Sequence, residues 1–167
     1  MQLTFASGHS TEVEGYTNSN YAWNPENWKS TLGDMLTYAG YAISWRSKLQ
    51  ECTNPSTTEA EYIVMSKATK EAIWLQRLMV YFLTKSRTFH ITLTLHCESQ
   101  SAIHLGRNPV YQAKTKHIEM RYHHIRELFI DKKLKIQKIN IEVNIADCLT
   151  KTLLDHRFRA LKGRMGL

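Results

Sequence analysis

At 167 residues, 43% of them apolar, the chain is long enough to bury a sizeable core. It contains no apolar run of about 18 residues, which excludes a membrane-spanning helix. Twenty-two Lys and Arg against fifteen Asp and Glu give a formal charge of +7 and a pI near 9.4, a balance that favours polyanionic partners such as nucleic acid.

The first residues, Met1-Gln-Leu-Thr-Phe-Ala-Ser7, lack a basic region followed by an apolar block, so no secretory signal is expected. Cys52, Cys97 and Cys148 form no CxxC pair and cannot all be disulfide-bonded. Both features predict a reduced, intracellular protein, cytoplasmic or nuclear and not secreted.

Val13–Thr17, Asp34–Tyr38 and Ala42–Arg46 read as three short strands, with the turn-rich Trp23-Asn-Pro-Glu-Asn27 between the first two. Ser56, Thr57 and Thr58 are placed to cap a long helix, and Glu59 stands three residues after Ser56, the spacing of a capping box. From Glu59 to about Phe82, the residues Ala60, Val64, Ala68, Ala72, Leu75 and Phe82 recur at the spacing of one buried helix face. Capping accounts for Glu59 but not for Glu61, which must point elsewhere.

Ile91–Cys97 alternates Ile and Leu with Thr, the period of a fourth strand. A short helix over Gln100–Leu105 follows, ending near Gly106 and Pro109. A helix over about Lys116–Asp131 carries Ile118, Tyr122, Ile125 and Phe129 on one side and His117, Arg121 and His124 on the other. Lys135–Ile141 alternates as a fifth strand, and Ile145–Thr150 and Arg157–Lys162 close the chain as short helices. No repeat, low-complexity stretch or linker interrupts this order, which predicts one domain over residues 1–167. The class is α/β, a five-stranded mixed sheet flanked by helices.

Functional side chains of α/β sheets gather where strands end and helices begin. Four such places stand out: Asn18 within Thr17-Asn-Ser19, Glu61 in the long helix, Glu98 after the fourth strand, and Asp147 opening a late helix. Oxygen donors from separate elements suit Mg²⁺. Two such ions about 3.5–4 Å apart would activate a water and stabilise a leaving oxygen in phosphodiester hydrolysis.

Longer motifs surround these positions. Ser56-Thr-Thr-Glu-Ala-Glu-Tyr-Ile63, Lys70-Glu-Ala-Ile-Trp-Leu75, Gln100-Ser-Ala-Ile103, Lys114-Thr-Lys-His-Ile-Glu-Met-Arg-Tyr-His123 and Ala146-Asp-Cys-Leu-Thr-Lys151 resemble the ribonuclease H domain of copia-type retrotransposon polyproteins, as do Lys29–Gly33 and Ala42–Gln50. The likeness runs from about Gly15 to the C-terminus, as for a C-terminal fragment of a retrovirus-related Pol polyprotein. It implies an RNase H-like fold that cleaves the RNA strand of RNA–DNA hybrids with two Mg²⁺. It also implies a partnership with the polyprotein's reverse transcriptase, which is absent from this sequence.

The family's catalytic set is Asp, Glu, Asp, Asp. The resemblance puts Asn18 at the first position, Glu61 at the second, Glu98 at the third and Asp147 at the fourth. Glu61, Glu98 and Asp147 are then the implied metal-ligating carboxylates. Asn18 lacks the charge of the family's aspartate, and Asn20 likewise replaces a second, non-catalytic one. Glu98 is one methylene too long, and a displacement of about 1 Å can cost ~10²-fold. Asn54-Pro55 is a further departure, since Pro55 removes a backbone donor ahead of the helix. No histidine falls between Ile139 and Asp147, where cellular RNase H enzymes carry a flexible catalytic one. The expectation is therefore an impaired hydrolase. The alternatives are a non-catalytic nucleic-acid-binding remnant and a domesticated protein-interaction module.

Lys114, Lys116, His117, Arg121 and His124 form a candidate phosphate-binding stripe, or simply the wet side of an amphipathic helix. His117, His123 and His124 lack the Cys/His spacing of a tetrahedral zinc site. Trp45 and Trp74, inside regular elements, are expected in the core. Cys97 and Cys148 are expected to be small buried apolar residues.

Overall fold

The computed structural model describes residues 13–21, 26, 28–51, 53, 56–83, 93–107 and 125–167. Three strands come first: β1 (Val13–Asn20), β2 (Thr31–Tyr38) and β3 (Tyr41–Leu49). Ala39 and Gly40 join β2 to β3, both with positive φ (51° and 80°). Two successive left-handed residues are what a two-residue hairpin turn requires, and Gly40 adopts that conformation without a Cβ penalty.

The long helix α1 (Thr57–Leu83) follows, with the Ser56 hydroxyl accepting a hydrogen bond from the Glu59 amide at 3.2 Å. After it come β4 (Leu93–Cys97), α2 (Gln100–Arg107), a helical segment α3 over residues 125–130, and β5 (Leu134–Lys138). Two 3₁₀ turns, Ile141–Val143 and Ile145–Leu149, lead into α4 (Asp155–Arg164).

The sheet order is β3-β2-β1-β4-β5. β1 pairs antiparallel with β2, and β2 with β3, while β4 runs parallel to both β1 and β5. This is the mixed α/β sheet the sequence predicts, an antiparallel meander extended by parallel strands. Its central strand, β1, is the one that carries Asn18.

Boundaries differ in places. β1 runs on to Asn20, so Asn18 lies inside the strand. β5 ends at Lys138, because the Asn140 side chain accepts from the Glu142 amide and starts a 3₁₀ turn instead. The expected helix at Ile145–Thr150 is likewise a 3₁₀ turn. Residues 108–124, which include the first part of the predicted Lys116–Asp131 helix, lie outside the described residues, as do Trp23, Asn54 and Pro55.

Two apolar layers cover the sheet. On one face Tyr62, Met65, Ala68 and Ala72 of α1 pack with Leu95, Ile103, Ile125 and Ile136. On the other, Met35 and Ala42 pack with Ile145, Leu161 and Met165. Fully burying one such Leu or Ile contributes roughly 1.5–3 kcal/mol.

The two tryptophans expected in the core are on the surface: Trp45 is 64% exposed and Trp74 56%. Trp74 is rotated about 200° from Ala72 at 100° per residue, so it leaves the buried face. Trp45 sits on β3, which among the described residues is an edge strand of the sheet. Cys97 is buried as expected, whereas Cys148 is only half-buried.

Gly33 lets the second 3₁₀ turn sit directly on β2. A Cβ there would lie 2.6 Å from Thr150 Cγ2 and 2.9 Å from the Ala146 carbonyl oxygen. At Gly15 the obstacle is a flexible tip, Leu95 Cδ1 at 2.5 Å. Gly33→Ala is therefore expected to cost about 1–3 kcal/mol, and Gly15→Ala less, because backbone cannot step aside as a leucine methyl can. Urea denaturation of the two variants checks the order; equal losses would show that the turn yields freely.

Candidate active site

The end of the sheet near Asn18 is built by strand register. β1 and β4 are paired in parallel with Thr17 opposite Cys97, so Asn18 and Glu98 each follow the last pair on adjacent strands. On its other side Asn18 pairs with Gly33 of β2. That glycine opens the space through which the Ile145–Leu149 turn brings Asp147 to the strand.

Asp147 has no exposed surface at all. Its Oδ1 accepts from Asn18 Nδ2 at 2.5 Å and lies 2.9 Å from Lys151 Nζ. Its Oδ2 accepts from Arg157 Nη2 at 2.6 Å. Asn18 Nδ2 also donates to Thr150 Oγ1 at 2.8 Å, while Asn18 Oδ1 accepts from the Ser19 amide at 2.9 Å. The amide orientation follows from its neighbours: reversing it would set an oxygen against the Asp147 carboxylate and an NH₂ against an N–H.

Glu61 approaches from the first turns of α1. Its Oε1 accepts from the Ser19 amide at 2.9 Å, and its Oε2 lies 3.7 Å from the Cys97 thiol. Burial pushes the Glu61 carboxyl up to about 8; the Ser19 N–H opposes the shift, and the charges of Glu98 and Asp147 add to it. Burial, with the Glu61 charge beside it, pushes the Cys97 thiol up to about 12, so Cys97 stays protonated. Glu98 is half-buried and accepts from Asn144 Nδ2 at 2.8 Å. Burial raises its carboxyl above the usual range, against the pull of that hydrogen bond.

A cleft of about 330 Å³ opens over this cluster, lined by Asn18, Ser19, Asn20, Glu61, Glu98 and Lys151 among others. The structure thus brings Asn18, Glu61 and Glu98 to one cleft, with Asp147 directly behind Asn18. Lys114, Lys116, His117, Arg121 and His124 lie outside the described residues. Among the described residues no helix is long and apolar enough to cross a membrane.

Three residues that sequence reasoning passed over hold the cluster together. Asn144 caps the second 3₁₀ turn through the Ala146 amide and bonds both the Thr17 carbonyl and Glu98. An Asn before a predicted helix is a capping signal that would have found it. Lys151 is four residues beyond Asp147, the spacing of a helical ion pair. Arg157 is ten residues away and carries no local signal.

Glu61, Glu98 and Asp147 are the carboxylates the resemblance assigns to divalent metal. As arranged, they do not fit that role. Asn18 presents donors, not a free oxygen, to its neighbours, and both oxygens of Asp147 are already held by cationic side chains. Among the described residues no three His, Cys, Asp or Glu are grouped so as to hold a metal ion.

No family model matches the chain. It is 44% identical, over 93% of its length, to a retrovirus-related Pol polyprotein from transposon TNT 1-94 of Nicotiana tabacum. It is 28% identical over 96% of its length to the Pol polyprotein from transposon RE1 of Arabidopsis thaliana. The chain spans 11% of the length of each of these relatives. Among solved structures, LC11-RNase H1 in complex with RNA/DNA hybrid matches at a TM-score of 0.56 and 18% identity, covering 83% of this chain and 94% of that one. A prototype foamy virus protease–reverse transcriptase matches at 0.55 and 14% identity, covering 96% of this chain and 21% of that one. These likenesses establish the RNase H fold.

The raised Glu61 group has a measurable consequence. Its folded pKa of about 8 exceeds the ordinary value of 4.5, so the fold favours the protonated form. Stability from this group is fully present below about 4.5 and is lost as pH rises through about 8. Glu61→Gln keeps the shape and removes the titration, so its unfolding free energy is expected to fall less steeply between pH 5 and 8. Urea denaturation across that range checks this, and an unchanged slope would assign the dependence elsewhere.

Proposed function

We propose that this chain, an RNase H domain belonging to the Pol polyproteins of retrotransposons, binds RNA–DNA hybrid at the cleft beyond β1 and β4 and cleaves the RNA strand poorly or not at all. The observation that carries the reading is Asn18: at the position matching the family's first catalytic aspartate stands an amide that donates to Asp147. Glu61, Glu98 and Asp147 are the remaining members of the catalytic set on this reading. Two Mg²⁺ are what the resemblance implies for an intact copia-type centre, but the donor set present here does not fit them.

The residues themselves support a binding role more readily than a hydrolytic one. Ser19, Asn20 and Ser99 give the cleft a polar wall, and Lys151 adds a positive charge at its edge. The Lys114, Lys116, His117, Arg121 and His124 stripe supplies the phosphate contacts on this reading. The net charge of +7 supports the same conclusion. The domain spans residues 1–167, works inside the cell, and in an intact polyprotein would act beside the reverse transcriptase. The second reading, a nucleic-acid-binding remnant without hydrolysis, differs in recovering no cleavage when the aspartate at position 18 is restored. A protein-interaction module would differ in lacking hybrid affinity.

Cleavage of a labelled hybrid decides between the first two. The unmodified protein is expected to show little or no Mg²⁺-dependent cleavage. Asn18→Asp is expected to raise it at least tenfold, since restoring a missing ligand should outweigh the roughly 10–100-fold effects of supporting residues. Glu98→Asp added to it should raise activity further. Robust cleavage by the unmodified protein, abolished by Glu61→Gln, would overturn the impaired reading.

Hybrid affinity is expected to fall steeply with salt. Lys114→Ala with Arg121→Ala should weaken binding to all sequences and reduce the salt slope by about 2, one for each phosphate contact. Affinity indifferent to salt would favour the interaction module.

A further inference from the structure

We propose that Lys151, backed by Arg157, is a built-in counter-ion that takes the place of a divalent cation at Asp147, and that Asn18 is the substitution that allows the centre to stand without metal. The inference deepens the reading above, but it rests on the placement of charges and not on hybrid binding.

A carboxylate with no exposed surface cannot remain ionised unless its charge is compensated nearby. Here the compensation is complete in the side chains alone. Lys151 Nζ and Asn18 Nδ2 meet Oδ1, and Arg157 Nη2 meets Oδ2. Arg157 is anchored as well by the Ile141 carbonyl at 2.9 Å, so it cannot swing away without breaking a second bond. Among the described residues Lys151 forms an ion pair with Asp147 alone; it lines the cleft, and its side chain is 30% exposed. It is therefore the exchangeable cation of the pair, and Arg157 the fixed one.

Asn18 decides whether this suffices. With an amide at position 18, the 2.5 Å approach to Asp147 is a hydrogen bond. With a carboxylate there, two oxygens bearing charge would meet at that distance beside Glu98, with Lys151 and Arg157 as their counter-charges. Like charges so close in a buried setting need a cation or a shared proton between them, and above the pKa of the pair only a cation serves. Lys151 already touches Asp147 Oδ1, so a divalent ion entering there must displace it. Asn18 thus removes the requirement for metal, and Lys151 occupies the position from which metal would act.

Thermal unfolding in EDTA and in a Mg²⁺ series at constant ionic strength tests this without any activity measurement. The unmodified protein is expected to have the same Tm in both. Asn18→Asp should melt roughly 10 °C lower in EDTA and recover saturably with Mg²⁺. Asn18→Ala, which loses the hydrogen bonds but adds no charge, should be less stable yet indifferent to Mg²⁺. Lys151→Gln should give the otherwise unmodified protein a saturable Mg²⁺-dependent rise in Tm. Should Asn18→Asp not fold even in Mg²⁺, Lys151→Gln decides alone: a rise sustains the proposal and no rise overturns it. A saturable Mg²⁺ effect on the unmodified protein, or an Asn18→Asp variant as stable in EDTA as its parent, would also overturn it. Hybrid cleavage can fail in every one of these proteins without touching the result.

Discussion

A fully buried carboxylate governs this end of the molecule. Asp147 is taken out of water by the packing of the second 3₁₀ turn against β2, and its charge has to be met from within. The partners come from three directions: Asn18 from the central strand, Lys151 from the segment just after the turn, and Arg157 from α4. Arg157 also holds the Ile141 carbonyl, so the same guanidinium fixes the first 3₁₀ turn. Thr150, bonded to both Asn18 and the Asp147 carbonyl, closes the loop. Because Asn18, Lys151 and Arg157 all meet this one carboxylate, strand, turn and helix are coupled through it.

The sheet delivers this arrangement through register. Parallel pairing of β1 with β4 sets Asn18 beside Glu98, and antiparallel pairing with β2 sets it beside Gly33, where the turn needs room. Alternation along β1 gives the two layers their separate duties. Val13 belongs to the layer under α1, whereas Tyr16 packs with the layer under α4. Glu61 reaches over the strand end from the α1 side and takes the Ser19 amide, one residue beyond Asn18. The cleft is therefore where the two layers meet at the ends of the central strands, and neither layer alone contains it.

Chemistry at the cleft turns on donors and acceptors more than on shape. Asn and Asp are nearly isosteric, yet exchanging one for the other converts a mutual repulsion at Asp147 into a hydrogen bond. Glu98 is occupied by Asn144, which also bonds the Thr17 carbonyl and caps the turn. Each carboxylate of the cluster is thus engaged by a protein group. In this RNase H fold the acidic residues of the centre are engaged in holding strand, turn and helix together.

The sequence by itself determined the α/β class, the meander followed by parallel strands, the helix cap at Ser56, and the four positions that meet at the strand ends. Those features rest on local chemistry and on periodicity, 2 for strands and 3.6 for helices, both written in consecutive residues. The long motifs around Glu61 and Asp147 carried the family resemblance for the same reason. Exposure was less legible: Trp45 and Trp74 are large and apolar, but an edge strand and the outward face of a helix keep both in water. Only the tertiary structure decided which way the Asn18 amide faces, that Arg157 reaches back ten residues to Asp147, and that Gly33 is a site of contact with the turn and not a flexible strand residue. Those are outcomes of packing between elements distant in the chain. A buried charge selects its partners by distance in space, which the order of residues does not record.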